Sequence, residues 1–149
     1  MDETFMDLAL EEARNAEKLG EVPVGAIIVD AAGHIVARGF NRPISAHDPT
    51  AHAEIVAMRD AARITGNYRL TGLTLYCTME PCAMCAGAMV HARIQRLVYG
   101  AADPRAGAAG SLFNIVTDSR LNHQISVVAG VRENESRILV QRFFEKRRG

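Results

Sequence analysis

The chain has 149 residues, 48% of them hydrophobic and 23% charged, which is the composition of a globular chain with its own core. Seventeen basic residues balance seventeen acidic ones, so no net charge marks a polyanionic partner, and three cysteines exclude a disulfide framework. No apolar run reaches the length of a membrane span, and the acidic start Met1-Asp2-Glu3-Thr4 lacks the features of a signal peptide. These totals predict one domain over residues 1–149, cytoplasmic, off the membrane and with reduced thiols.

Residues 3–19 carry an apolar stripe, Met6, Ala9, Leu10, Ala13 and Ala16, which predicts a helix ended by Gly20. The run Val24–Val29 reads as a buried strand. Ala31-Ala32-Gly33 turns the chain into a second strand at His34–Phe40. Asn41–Thr50, polar and with two prolines, reads as a loop of the kind that carries function. A helix follows over about residues 51–64, with Thr50 as the expected N-cap. Leu73–Thr78 is a strand, Pro81 opens a helix that runs to about His91, and Ile94–Gly100 is a fourth strand. Residues 101–110, rich in alanine and glycine, read as a loop lying over something, and Ser111–Asn122 has no regular pattern. Gln124–Ala129 is a fifth strand and residues 132–148 a last helix. The order α-β-β-α-β-α-β-β-α, with strand–helix–strand steps at the third and fourth strands, predicts parallel pairing there. The fold class is α/β: a five-stranded mixed sheet with helices on both faces, in three layers.

Charge is unevenly spread. Residues 1–75 hold 7 basic and 11 acidic groups, and residues 76–149 hold 10 and 6. Fifteen of the seventeen basic residues are arginine, whose planar fork suits phosphates and stacks on bases. GC-rich coding also favours arginine.

The chemistry concentrates in two segments, Pro81-Cys82-Ala83-Met84-Cys85 and His52-Ala53-Glu54. Two thiols one helical turn apart hold one metal ion or form one redox pair. With His52 they make three ligands of a tetrahedral zinc, and a catalytic zinc keeps its fourth position open. Cys77, His91, His47, His34 and His123 are the remaining candidates for a fourth ligand, none at a familiar spacing, and Cys77 reads as a core residue inside a strand. Helix N-termini carry partial positive charge and favour thiolates. Glu54 lies two residues from His52, a spacing that shares no face of a regular helix. Both face one site only when the metal sits at the helix end, where a carboxylate can move protons for water activated by the metal. Taken singly, the Cys-x-x-Cys pair is equally a redox motif and His-x-Glu is a chance pattern.

His-x-Glu followed by Pro-Cys-x-x-Cys, each at a helix start, resembles the signature of the zinc-dependent nucleobase deaminases. The resemblance implies the cytidine deaminase-like fold and one zinc ion per subunit held by His52, Cys82 and Cys85. It further implies Glu54 as proton shuttle, loss of ammonia, and no nucleotide cofactor. Within that superfamily the chain is similar to the bacterial tRNA-specific adenosine deaminases. The similarity runs through Asn41–Ile44, His47–Glu54, Asn67–Leu70, Glu80–Met89, Gly107–Leu112 and Phe143–Arg148. That family implies conversion of the wobble adenosine, position 34 of a tRNA anticodon stem-loop, to inosine by a homodimer. It implies substrate contacts from Asn41, Asp103, Asn122, Phe144 and Arg148. Pro104, beside Asp103, departs from the family pattern. Two other readings stand beside this one: a free-base guanine or cytosine deaminase with the same zinc site, and a zinc-stabilised RNA-binding protein without activity. The basic C-terminal helix and the Asp103 loop favour RNA over a free base.

Overall fold

The computed structural model describes residues 1–148, the last of them by its backbone alone. Helix α1 (Asp2–Lys18) buries Phe5 and the whole predicted stripe, with Ala9, Ala13 and Ala16 fully enclosed. Strands β1 (Gly25–Val29) and β2 (Ile35–Phe40) form an antiparallel hairpin. A short helix α2 (Pro43–Ala46), absent from the sequence reading, lies in the predicted loop. Then come α3 (Ala53–Thr65), β3 (Thr74–Met79), α4 (Ala83–Ala92), β4 (Arg96–Ala101), β5 (Ser126–Val128) and α5 (Glu133–Arg148). The sheet order is β2-β1-β3-β4-β5. β1 pairs antiparallel with β3, β3 pairs parallel with β4 as expected, and β4 pairs parallel with β5. The fifth strand covers three residues rather than the six predicted, because it is an edge strand with β4 as its one partner and no residue of it is fully buried.

Alternate residues of each strand point to opposite faces, and the sheet therefore carries two cores. Ala26, Ile28, Leu75, Cys77, Leu97 and Tyr99 face α3 and α4, packed with Met58 and Met89. Ile27, Val29, Tyr76 and Val98 face the other way, against Phe5, Met6 and Ala9 of α1. The result is the three-layer mixed α/β architecture that the element order implies.

Close helix–sheet contact places the site. α3 presents Ala53, Ala57 and Ala61, all fully enclosed, at four-residue spacing. It rests on β2 at Gly39, where a Cβ would stand 2.5 Å from the Ala53 carbonyl oxygen and 2.7 Å from the Ala57 nitrogen. No residue but glycine lets the helix start sit there. At the same edge, the Gly25 amide donates to Thr78 Oγ1 at 3.1 Å, fixing the start of β1 against the end of β3. α4 begins four residues after β3 ends. Both helices thus start over one edge of the sheet.

On the opposite face Asp2 ties α1 to the sheet. Its carboxylate accepts from Tyr76 Oη at 2.7 Å and from Arg96 Nη1 and Nη2 at 3.0 and 2.6 Å. The hydrogen bonds from Arg96 chiefly hold the Asp2 carboxyl below its ordinary 3.8, outweighing burial. A depressed carboxylate pKa adds stability above the unfolded value and loses it as pH falls through the folded one. Asp2→Ala is therefore expected to lower unfolding free energy by about 1 kcal/mol at neutral pH, the scale of a partly exposed charge-assisted pair. Denaturant titrations of both proteins should converge as pH drops below 3.8; a gap that persists unchanged in acid would assign the loss to packing instead.

Candidate active site

His52 and Cys82 are the N-caps of α3 and α4, both with extended backbone (φ −70°, ψ 155° and φ −75°, ψ 176°). Their carbonyls start the helices, accepting from the Val56 and Ala86 amides at 3.0 and 2.9 Å. Two expectations are corrected here. Thr50 is not the N-cap of α3: its hydroxyl is engaged in the loop, donating to Asp48 Oδ1 at 2.7 Å and accepting from Arg59 at 3.1 Å. Pro81 precedes the α4 cap instead of occupying the first turn. In both cases the position next to the helix is taken by a residue of the His52–Cys82–Cys85 group.

His52 Nδ1 lies 3.6 Å from Cys82 Sγ and 3.5 Å from Cys85 Sγ, and the two sulfurs are 3.8 Å apart. Tetrahedral zinc, with bonds of about 2.3 Å to sulfur and about 2.05 Å to nitrogen, requires ligand separations of about 3.8 Å (S–S) and about 3.6 Å (S–N). The three donor atoms fit that ion. Among the described residues, no other histidine, cysteine or carboxylate joins the group. Cys77 is fully enclosed in β3, as the sequence reading expects. Within the group, one thiolate is favoured over the other. Hydrogen bonds from the Cys85 thiol and from His52 bring Cys82 down to about 3, while the contact with Cys82 and burial push Cys85 up. His52 is raised, chiefly by its contact with Cys82.

Glu54, second residue of α3, is 4% exposed. Because His52 is a cap and not a helical residue, their two-residue spacing does not separate them. Burial raises the Glu54 carboxyl above its ordinary value against the opposing pull of its own backbone amide and His52. Glu54, His52 and Cys82 line a cavity of about 300 Å³. Val22, Val24, Met79 and Val140 give it apolar walls.

Residues 1–101 match the family described as the cytidine and deoxycytidylate deaminase zinc-binding region. The chain is 52% identical over 147 residues to the tRNA-specific adenosine deaminase of Haemophilus influenzae, covering 99% of this chain and 85% of that one. It is 44% identical to the Bacillus subtilis enzyme of the same name, covering 99% and 91%. The chain belongs to the tRNA-specific adenosine deaminase family. Its fold superposes with a TM-score of 0.88, at 46% identity, on a structure solved in work on A-to-I editing by tRNA:A34 deaminases at the wobble position of transfer RNA, covering 91% of this chain and 98% of that one.

Of the residues that the resemblance nominates in this deaminase, the pocket gathers Asn41, Asp103 and Phe144 beside Glu54 and the ligand group. Asn41 directly follows β2. Asp103 closes its own turn, its Oδ1 accepting from the Arg105 and Ala106 amides at 3.0 and 3.2 Å. Phe144 is 42% exposed at the rim, and its neighbour Phe143 is the buried one. Asn122 is elsewhere. It accepts from Arg93 Nη1 at 3.1 Å, beyond the C-terminal end of α4, about 15 Å of helix away from Cys82. The side chain of Arg148 lies outside the described residues.

Two buried carboxylates carry roles that the sequence reading missed. Glu21, 1% exposed, accepts from the Ile44 and Ser45 amides at 3.3 and 2.7 Å and so caps α2 behind Asn41. Glu80, 3% exposed, grips the loop that carries Asp103. Each acid sits beside an element end, Glu21 just after Gly20 and Glu80 at the strand–helix junction, and that was the one available signal. Their donors lie 23 to 31 residues away.

The chain is expected to bind one zinc ion, read by metal analysis after dialysis. Cys85→Ala should abolish tight binding and Cys77→Ala should keep it. One-to-one zinc in the Cys85→Ala protein would remove Cys85 from the ligand set.

Proposed function

We propose that this protein deaminates the wobble adenosine of a tRNA anticodon to inosine, with water as co-substrate and ammonia as second product. The observation that carries the chemistry is the Glu54 carboxyl, buried and raised in pKa, in the same cavity as the His52–Cys82–Cys85 group. Those three residues would hold a zinc ion. Zinc bound there supplies a Lewis acid that lowers the pKa of water to about 7.

Glu54 accepts a proton from the attacking water as the new C–O bond forms at adenine C6. It delivers that proton to N1, then moves the second proton to the departing amine as the C–N bond breaks. A carboxyl with an elevated pKa is suited to this, since it must both take and return a proton near neutral pH. Asn41 orients the flipped nucleoside, Asp103 meets its sugar and Phe144 contacts the RNA. What supports these roles is their place on the cavity wall. A duplex or stacked loop cannot present C6 to so deep a group, so the base enters extruded from its stack.

A homodimer and a cytoplasmic location complete this reading. Supporting the dimer is an apolar groove between α3 and α4, lined by Ile55, Met58, Ala62, Leu70 and Ala88 and flanked by Tyr68, which is 70% exposed. Asn122, remote from its own pocket, reaches RNA from such an assembly. No helix among the described residues is long and apolar enough to cross a membrane.

With an adenosine-34 anticodon stem-loop as substrate, inosine should form, and free guanine and cytosine should release no ammonia. Glu54→Ala should keep its zinc and fold while losing at least about 10²-fold in rate, the scale of a positioned general acid–base. Ammonia from a free base with none from RNA overturns the substrate, and full activity in Glu54→Ala overturns the mechanism.

A further inference from the structure

We propose that Glu80 is a positioning residue for the reaction: its buried carboxylate holds the 102–112 loop, and with it Asp103, in register with the metal-binding segment Pro81–Cys85. The inference rests on the reading of the pocket given above.

The Glu80 carboxylate accepts from the backbone amides of Asp103, Ala109 and Ser111 at 3.0, 2.9 and 3.1 Å, and from the Ser111 hydroxyl. No cation pairs with it among the described residues. A buried carboxylate is stable without a cation only when hydrogen-bond donors saturate it, and here all four come from one irregular loop. That loop has no helix or strand of its own across 102–112. Its other ties run to the same segment: the Ala108 amide donates to the Pro81 carbonyl at 2.8 Å, and Gly107 bridges to Cys82. Gly107 lies flat on the carboxylate, where any Cβ would strike Glu80 itself and stand 2.5 Å from the Asp103 carbonyl oxygen. Asp103 and Ala106 of this loop form one wall of the cavity whose floor is His52, Glu54 and Cys82. Glu80 thus takes the place of a paired strand. It converts an irregular segment into a wall at fixed distance from the ligand group.

Glu80→Gln keeps the shape but offers one acceptor oxygen where the loop needs two. Gly107→Ala leaves Glu80 intact and pushes the loop off it. Both should raise KM for anticodon stem-loop RNA by about tenfold, with kcat within about threefold and zinc at one per chain, because the Asp103 wall touches the ground state and the transition state equally. Amide exchange measured by mass spectrometry should quicken across 103–111 and stay unchanged in α1 and α3. Asp2→Ala, destabilised on the other face, should leave KM unmoved. The proposal is overturned by unchanged exchange across 103–111, by unchanged KM in both variants, or by a loss confined to kcat and accompanied by zinc release, which would make Glu80 a support of the metal site. Should Glu80→Gln not fold, Gly107→Ala alone decides. Absence of inosine with the unsubstituted protein would count against the substrate, while the exchange arm would still decide whether Glu80 holds the loop.

Discussion

The structure depends on three donor atoms meeting within 3.8 Å although they come from segments thirty residues apart. Helix starts make this possible. A side chain on a helix leans toward its N-terminus, so Glu54 and Cys85, in the first turns of α3 and α4, project past the helix ends instead of sideways. The caps His52 and Cys82, with extended backbones, turn into the same space. Side chains from two helices can share a point beyond both ends only when the helices lie close to the sheet. The alanine row of α3 over Gly39 supplies that closeness. A larger residue at either place moves a ligand before it touches anything chemical.

Two buried acids, Glu54 and Glu80, line the pocket, and a third, Glu21, holds the turn behind Asn41; their surroundings divide the work. Burial pushes each of them up. For Glu21 the amides of Ser45 and Ile44 reverse this, and for Glu80 the Ser111 hydroxyl and three amides do, so both stay below the ordinary carboxylate range. Glu54 has no such set of donors and stays above it. Saturated carboxylates hold loops and have no reason to take up a proton. The unsaturated one keeps a raised pKa, the property that the proposed proton shuttle uses. A separate dedicated fold for each role is unnecessary, because the count of amide donors around each carboxylate decides it.

This also explains what was legible in the sequence. Helices, strands and the ligand group declare themselves through local spacing: the α1 stripe, the unbroken apolar run of β1, His-x-Glu and Cys-x-x-Cys. The parallel pairing of β3 with β4 follows from an intervening helix. The parallel pairing of β4 with β5 does not, since irregular chain joins them and the pairing is set by how that chain packs. Helix starts were misplaced by one or two residues because Thr50 and Pro81 look like ordinary cap and first-turn residues, and only the metal-site geometry moves the cap to His52 and Cys82. Glu21 and Glu80 were missed because their partners are backbone amides, which every residue type supplies and no pattern marks.

The pocket's chemistry and its walls are therefore held by different means. His52, Glu54, Cys82 and Cys85 sit on helix ends packed against the sheet. Asn41, Asp103 and Phe144 sit on a loop, a second loop and a terminal helix, each with its own tether. Glu21 holds the turn after Asn41, and Glu80 holds the segment from Asp103 to Ser111. Arg147 anchors α5 by donating to the Gly20 carbonyl while lying 4.7 Å over the Phe143 ring. Of the three tethers, Glu80 alone adjoins the ligand group, since the loop it holds bridges to Cys82 through Gly107. The Asn41 and Phe144 walls are thus anchored away from the ligand group, and the Asp103 wall is anchored beside it, so a shift of the 102–112 loop bears on both the wall and Cys82.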